Sequence, residues 1–511
     1  MNGKGPRIGV LVCSCWSRSD AGIDAEAIVA EVLGWDHVVH AEATDDMCGM
    51  GNATLAGDLV RRHSLDRLVL AACACCPEDQ RCAACNDERA ALREAVKAAT
   101  ELPWAHHAFV NLRDHHRLTD DGITAVAMAT ARMALTPDQV PPRGAREPVR
   151  EALVVGAGAL GRAAAVELGE RGIPTHLVDK VAPAGTGSEA PKNITLHVPA
   201  RVMRMDGGGG DFRITLAGLG EEVELRVGVV LIAPGLAEED ASTGVGWGLP
   251  HSSLPEPPKK VQGTFLASED GRASAGAAAA YLGRVARGTQ AVATVDDEAC
   301  IGCLKCVRVC PYSAILRRPD PEFHVTIDPL LCAGCGGCAS ACLNWAAEQT
   351  GYTTRELEAA IVAGVGRTGA LLIVCNWSAY RAMDQAAREG MLPRGLAILR
   401  VPCMARVSPH LIQLALATGA DPLIMAGCSE RGCHFRGRRN MLREHLGHMD
   451  DGLARSGDLK RVFVVSLGPS DKDVLATRVE EAMEERRYAR EERGPLATPA
   501  REAAWTRGWP G

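Results

Sequence analysis

The sequence predicts a multidomain α/β protein: doubly wound domains at the N- and C-terminal ends, a Rossmann-like dinucleotide-binding domain, and an inserted cysteine-rich module. Three observations carry that expectation. Short apolar runs alternate with helical patterns over residues 1–140 and again over 355–470. A glycine-rich turn opens residues 151–290. Within 291–350, eight of the chain's 20 cysteines fall into two copies of one spacing. At 511 residues the chain also exceeds what one hydrophobic core sustains.

Composition narrows the function classes. A net charge of −7 gives no basic face for nucleic acid. Cysteine is clustered rather than spread as a disulfide scaffold would spread it, and thiolate sites favour a reducing compartment. The start, MNGKGPRIGVLVCSC, runs directly into a strand without the apolar core of a signal peptide. No run approaches the roughly 18 apolar residues that span a bilayer. The expected location is cytoplasmic, with any membrane association peripheral and made through partner subunits.

In residues 1–140, Ile8–Val12, Val38–Ala41, Leu68–Ala72 and Ala108–Leu112 read as strands, and the stretches around Asp24–Leu33, Ala53–His63, Glu88–Thr100 and Ile123–Leu135 as helices. Open α/β sheets build their sites outside the carboxyl ends of the strands. Cys13 and Cys15 follow the first strand, Cys48 the second, and Cys73 ends the third, which predicts one four-thiol cluster site over buried or redox-active thiols. Cys75, Cys76, Cys82 and Cys85 follow at once; C73-x2-C76-x5-C82-x2-C85 suits a compact metal loop, so the ligand partition among these eight stays open. Pro137, Pro141, Pro142 and Pro148 mark a linker.

Residues 151–290 begin ALVVGAGALG. Gly156, Gly158 and Gly161 satisfy G-x-G-x-x-G between a strand and a helix, and Asp179 ends the next strand where a ribose-binding acid belongs. The glycines let a pyrophosphate approach the backbone at a helix N-terminus. FAD is the expected ligand; the competing expectation is a retained fold without ligand, because about 140 residues are few for a complete two-dinucleotide flavoprotein.

Residues 291–350 carry Cys300, Cys303, Cys306 and Cys310, then Cys332, Cys335, Cys338 and Cys342. Both runs are C-x2-C-x2-C-x3-C, the spacing of a two-cluster ferredoxin module, in which the fourth cysteine of each run ligates the other cluster. One [4Fe–4S] cluster is assigned to Cys300, Cys303, Cys306 and Cys342, the other to Cys332, Cys335, Cys338 and Cys310. Zinc ribbons would pair two CxxC groups and have no use for the third cysteine or for Pro311.

In residues 355–470, Cys375, Cys403 and Cys428 each close a predicted strand and Cys433 follows five residues after the last. Four thiols at matching topological positions predict a metal site rather than four small buried hydrophobes. Residues 471–511 read as a tail: a charged helix, Asp471–Arg493, followed by a disordered Pro/Gly/Trp-containing end. His434 reads as a neighbour of the cluster rather than a ligand, and the pairs His106-His107 and His115-His116 as structural. Arg431, Arg436, Arg438 and Arg439 form a basic stretch that suits either an acidic partner or a solvated face.

The stretches GVLVCSC, MCGMG and DRLVLAAC, the glycine fingerprint, and GTFLASED leading into the double cysteine run resemble the A-type subunit of heterodisulfide reductase over about residues 7–345. VCNWSAY, VPCMARV and AGCSERGCHFRGRRN resemble the delta subunit of methyl-viologen-reducing hydrogenase over about 369–470. That second resemblance implies a [2Fe–2S] cluster on Cys375, Cys403, Cys428 and Cys433; the family's further cysteine falls within Asn376-Trp377-Ser378 here. The fusion is similar to the second subunit of quinone-interacting membrane-bound oxidoreductase, which implies an electron-transfer role with other redox subunits of a heterodisulfide-reductase-like or quinone-linked complex as partners. The alternative is a self-contained FAD-dependent oxidoreductase using NAD(P)H or a disulfide; the absence of cysteine from Arg150 to Ala299 speaks against it.

Overall fold

A computed structural model describes residues 5–14, 22–45, 47, 51–72, 87–112, 118–138, 148–181, 193–208, 210–218, 222–233, 264–266, 271–272, 274–276, 278–279, 282, 292–312, 314–318, 320–328, 331–429, 435, 439–456 and 458–493. The chain divides into two compact units: Met1–Thr136 with Tyr352–Gly511, and Pro137–Gly351.

The first unit opens with β1 (Ile8–Cys13), α1 (Ala25–Val32), β2 (Val38–Thr44), α2 (Gly51–His63), β3 (Arg67–Ala72), α3 (Asp87–Thr100), β4 (His107–Asn111) and α4 (Thr119–Leu135). The strands form a parallel sheet in the order β2-β1-β3-β4. β1 and β3 are buried along their whole length, as central parallel strands covered on both faces must be. Ile28, Val32, Val126 and Met133 pack with Val10, Val12 and Val69 on one face; Ala56, Leu59 and Val96 pack with Leu11, Leu68 and Leu70 on the other. Asp24 starts α1 by accepting from Ala27 N at 3.1 Å.

His106 and His107 are structural. His106 Nδ1 lies 3.1 Å from buried Arg67, and His107 Nε2 lies 2.7 Å from Thr100 Oγ1. Burial lowers the His107 pKa to about 4, with Lys97 adding to the effect. The unfolded chain therefore binds a proton that the folded chain refuses between pH 6.5 and about 4. The stabilisation is whole above pH 6.5 and is lost as pH falls through that window, at a cost of about 3 kcal/mol. His107→Gln is expected to flatten that part of the acid-unfolding curve.

The second unit begins with β5 (Ala152–Val155), α5 (Ala159–Glu170), β6 (Thr175–Val178) and β7 (Ile194–His197), continues through an antiparallel meander of β8 (Ala200–Gly208), β9 (Asp211–Gly218) and β10 (Val223–Val227), and returns as β11 (Val229–Ile232) and β12 (Thr264–Leu266). A five-stranded parallel sheet results, ordered β12-β11-β5-β6-β7. Then come β13 (Ala293–Val295), α6 (Lys305–Val309), β14 (Ile315–Arg317), β15 (Val325–Ile327), α7 (Gly337–Ala341) and β16 (Ala347–Gln349), paired as β13/β16 and β14/β15.

The first unit resumes with α8 (Thr354–Thr368), β17 (Leu371–Cys375), α9 (Ser378–Arg388), β18 (Ala397–Val401), α10 (Pro409–Thr418), β19 (Leu423–Cys428), α11 (Arg439–Ser456), β20 (Val462–Leu467) and α12 (Lys472–Arg493). A reciprocal capping box joins Thr353 and Glu356 at the start of α8, and Gly369 ends it at φ 69°. The parallel sheet runs β18-β17-β19-β20, the same order as in the N-terminal lobe. The two lobes join along α4 and α8. Thr136 Oγ1 lies 2.6 Å from Oε1 of the fully buried Glu356, and a β-carbon on Gly364 would sit 2.8 Å from Met128 Sδ.

The helix expected to be a tail is part of the core instead. Leu475, Val479 and Ala482 of α12 are fully buried with Leu467 and Met425, and Arg486 forms a buried ion pair with Asp421. The charged residues that dominate the sequence there occupy the opposite, solvated face. Among the described residues no helix is long and apolar enough to cross a membrane.

Candidate metal centres

The cysteine runs of residues 300–342 fold as a repeat. α6 and α7 each carry the third cysteine of a run, Cys306 and Cys338. The preceding residues take left-handed conformations at equivalent places, Gly302 (φ 64°) with Gly334 (φ 68°) and Leu304 (φ 58°) with Gly336 (φ 75°). At Gly302 that turn also passes another chain segment, since a β-carbon would lie 2.3 Å from Glu322 O. Such turns aim backbone N–H groups inward, which suits a centre of net negative charge.

The thiols gather in two groups. Burial pushes the Cys306 thiol up to about 11; Val307 N–H opposes this, and the neighbouring sulfurs of Cys342, Cys303 and Cys300 reinforce it. Burial raises Cys338 well above its ordinary value, and Cys332, Cys335, Cys310 and, last, Cys306 add to it. Cys342 lines one cavity with Cys300, Cys303 and Cys306, and Cys310 packs with Cys332 and Cys338. Cys342 Sγ also accepts from Ala347 N at 3.4 Å. Around the first group lies a cavity walled by Val295, Leu304, Val325 and Ala347 as well as by the four sulfurs. Four thiols this close cannot ionise together without a cation, and a metal centre supplies one, so the donor set fits a cluster.

In the C-terminal lobe Cys375 ends β17, Cys428 ends β19, and Cys403 lies two residues past β18. All three are buried, and Cys375 Sγ lies 3.0 Å from Cys428 Sγ. The Cys428 sulfur holds the Cys375 thiol well above its usual range, burial adds to this, and the N–H groups of Trp377 and Ala379 at the start of α9 oppose it. Those two donors are aimed at sulfur, where they stabilise a bound thiolate. Asn376, directly after Cys375, accepts from Arg400 Nε, and the Arg400 guanidinium lies 3.8 Å from the Tyr380 ring centroid. Sequence reasoning missed Arg400, because only the pairing of β17 with β18 brings it here. Cys433, His434, Arg431, Arg436 and Arg438 lie outside the described residues, as does the side chain of Arg439.

Cys13 is the last residue of β1 and fully buried, the place in its sheet that Cys375 holds in the other. Cys15, Cys48, Cys73, Cys75, Cys76, Cys82, Cys85, His115 and His116 lie outside the described residues.

At the glycine-rich turn the three glycines do different work. Gly156 (φ 103°) and Gly161 permit close approach, since β-carbons there would lie 2.2 Å from Ala233 O and 1.8 Å from Gly156 O. Gly158 is the N-cap of α5, and a β-carbon on it would meet nothing within 4 Å among the described residues. Asp179 Oδ2 accepts from Ala157 N at 2.6 Å, which sets the carboxylate at the turn. Among the described residues, open space over a helix N-terminus without a side-chain cap, with an acid beside it, fits a dinucleotide.

Residues 299–345 match the family model of the 4Fe-4S dicluster domain. Residues 370–487 match that of the methyl-viologen-reducing hydrogenase delta subunit. This delta-subunit match runs from β17 into α12, which agrees with the packing of α12 in that lobe. The D-type iron–sulfur subunit of F420-non-reducing hydrogenase from Archaeoglobus profundus is 42% identical over 65 residues, 12% of this chain and 47% of the relative. Over a longer span, the A-type iron–sulfur subunit of CoB–CoM heterodisulfide reductase from Methanocaldococcus jannaschii is 26% identical over 361 residues, 64% of this chain. The chain spans 49% of the length of that relative. A bacillithiol disulfide reductase from Bacillus cereus aligns over 62% of this chain and 67% of its own at 9% identity, with a TM-score of 0.15, and adds nothing to the fold described above.

Proposed function

We propose that this chain is an iron–sulfur electron-transfer component of an oxidoreductase complex of the heterodisulfide reductase type, with other redox subunits as its partners. The observation that carries the proposal is the gathering of Cys300, Cys303, Cys306 and Cys342, and of Cys310, Cys332, Cys335 and Cys338, into two partly buried thiol groups. In this reading each group holds one [4Fe–4S] cluster, Cys375, Cys403, Cys428 and Cys433 hold a [2Fe–2S] cluster, and Cys13 with the neighbouring N-terminal cysteines holds a further one. Bound clusters supply one-electron transfer, and a flavin at the glycine turn would supply exchange between one- and two-electron steps.

The chain's own residues set the conditions. Val295, Leu304, Val325 and Ala347 give the first thiol group an apolar wall. The N–H groups of Val307, Ala293, Gly334, Trp377 and Ala379 point at cysteine sulfurs and stabilise negative charge there. Gly158 leaves room for a pyrophosphate and Asp179 offers a carboxylate to a ribose. A self-contained flavin disulfide reductase is disfavoured, because residues 150–299 hold no cysteine to exchange with a substrate disulfide.

Anaerobic reduction of the isolated chain by a viologen dye, followed by a one-electron acceptor, tests this reading. Electrons are expected to pass from dye to acceptor without a nicotinamide; steady oxidation of NAD(P)H by the chain alone would overturn it. If flavin is bound, Gly158→Leu is expected to cut flavin content at least tenfold with the iron content unchanged, as a side chain there occupies the pyrophosphate path.

A further inference from the structure

We infer that Arg400 raises the reduction potential of the C-terminal thiol site by holding a fixed positive charge beside Cys375. The inference rests on the reading of Cys375, Cys403 and Cys428 as ligands of an iron–sulfur centre.

Both chain neighbours of Cys375 engage this arginine. Arg400 pairs across the sheet with Val374, the residue before Cys375. Its Nε donates to Oδ1 of Asn376, the residue after Cys375. The guanidinium is further held over the Tyr380 ring at 3.8 Å, and Asn376 and Tyr380 are both buried. A guanidinium keeps its charge at any physiological pH, and here its Nε bonds to Asn376 while its plane lies over Tyr380.

Consecutive Cα atoms are about 3.8 Å apart, so a group bonded to the Asn376 side chain lies within roughly 10 Å of Cys375. At that separation, under the effective dielectric of a protein interior, one unit charge changes a one-electron equilibrium by about tenfold. The sign is fixed by the chemistry. The centre gains one electron from an external donor, no bond forms or breaks, and its negative charge grows by one; a nearby cation favours the product. The N–H groups of Trp377 and Ala379 act in the same direction on the same sulfur.

The test is an EPR-monitored redox titration of the full chain with mediator dyes, the C-terminal signal being identified as the one lost in Cys375→Ala. Arg400→Gln is expected to lower its midpoint by about tenfold in the one-electron equilibrium, about 59 mV. Arg400→Lys, which keeps the charge, is expected to stay near the wild-type value, and the signals of the 300–342 module are expected to stay where they are. An unchanged midpoint in Arg400→Gln with the signal intact overturns the inference. Loss of the signal in both variants also overturns it, since the arginine then supports the fold rather than the potential. If Cys375→Ala removes neither signal nor iron, the ligand reading itself has failed, and that outcome is distinct from the other two.

Discussion

Alanine at Cys342 is expected to abolish one four-iron signal, the same one lost with alanine at Cys300, while alanine at Cys310 abolishes the signal lost with alanine at Cys332. The expectation follows from the crossing of the two runs. Cys342 lies among the sulfurs of the first run although it closes the second, and Cys310 does the reverse. Each single substitution should remove about half of the iron in residues 300–342. The loss should also loosen the module, because β13/β16 and β14/β15 are three-residue pairings and little apolar core besides the cysteines joins them. In so small a module the binding free energy of the metal is in large part folding free energy. Iron quantitation and low-temperature EPR on the four variants read the pattern. Were each run a self-contained site, Cys342 would instead group with Cys332, Cys335 and Cys338.

Arg486→Met should strongly destabilise the C-terminal lobe. The Arg486 side chain is 4% exposed and that of Asp421 is 9% exposed; Nε contacts Oδ1, and a second bond joins Nη2 to Oδ2 at 3.1 Å. The pair fastens α12 to the loop that leads into β19. Removing Arg486 takes two bonds from the buried Asp421 carboxylate, and breaking a buried pair costs up to about 3–5 kcal/mol. Hydrogen exchange in α12 and β19 is expected to accelerate in step. The double variant with Asp421→Asn should recover much of the loss, because the buried carboxylate charge is then gone. Equal protection of α12 in wild type and Arg486→Met would show that Leu475, Val479 and Ala482 hold the helix by themselves.

How legible all this was in the sequence depended on how local the cause was. β1 and β3 declared themselves because central parallel strands must be apolar throughout, and the cysteine at the end of β17 follows from the same run. The double cysteine spacing is a local pattern with one common use. The α12 helix misled because its glutamates and arginines outnumber the apolar residues, although Leu475, Val479 and Ala482 recur at helical spacing. The union of the two lobes had no local signal: Met128 against Gly364, and Thr136 against Glu356, are contacts between segments far apart in sequence. Arg400 was hidden for the same reason, since its place beside Cys375 comes from strand register. The shared strand order of the two sheets likewise appears only once the pairings are known, and it sets Cys13 and Cys375 at matching ends of their first strands.

Metal and sulfide analysis of the anaerobically purified chain, with EPR of the reduced protein, tests the electron-transfer account most directly. The account predicts at least three iron–sulfur clusters, two of them four-iron centres that disappear separately with Cys342 and Cys310. Two clusters or fewer, with zinc bound in place of the missing iron, would contradict it.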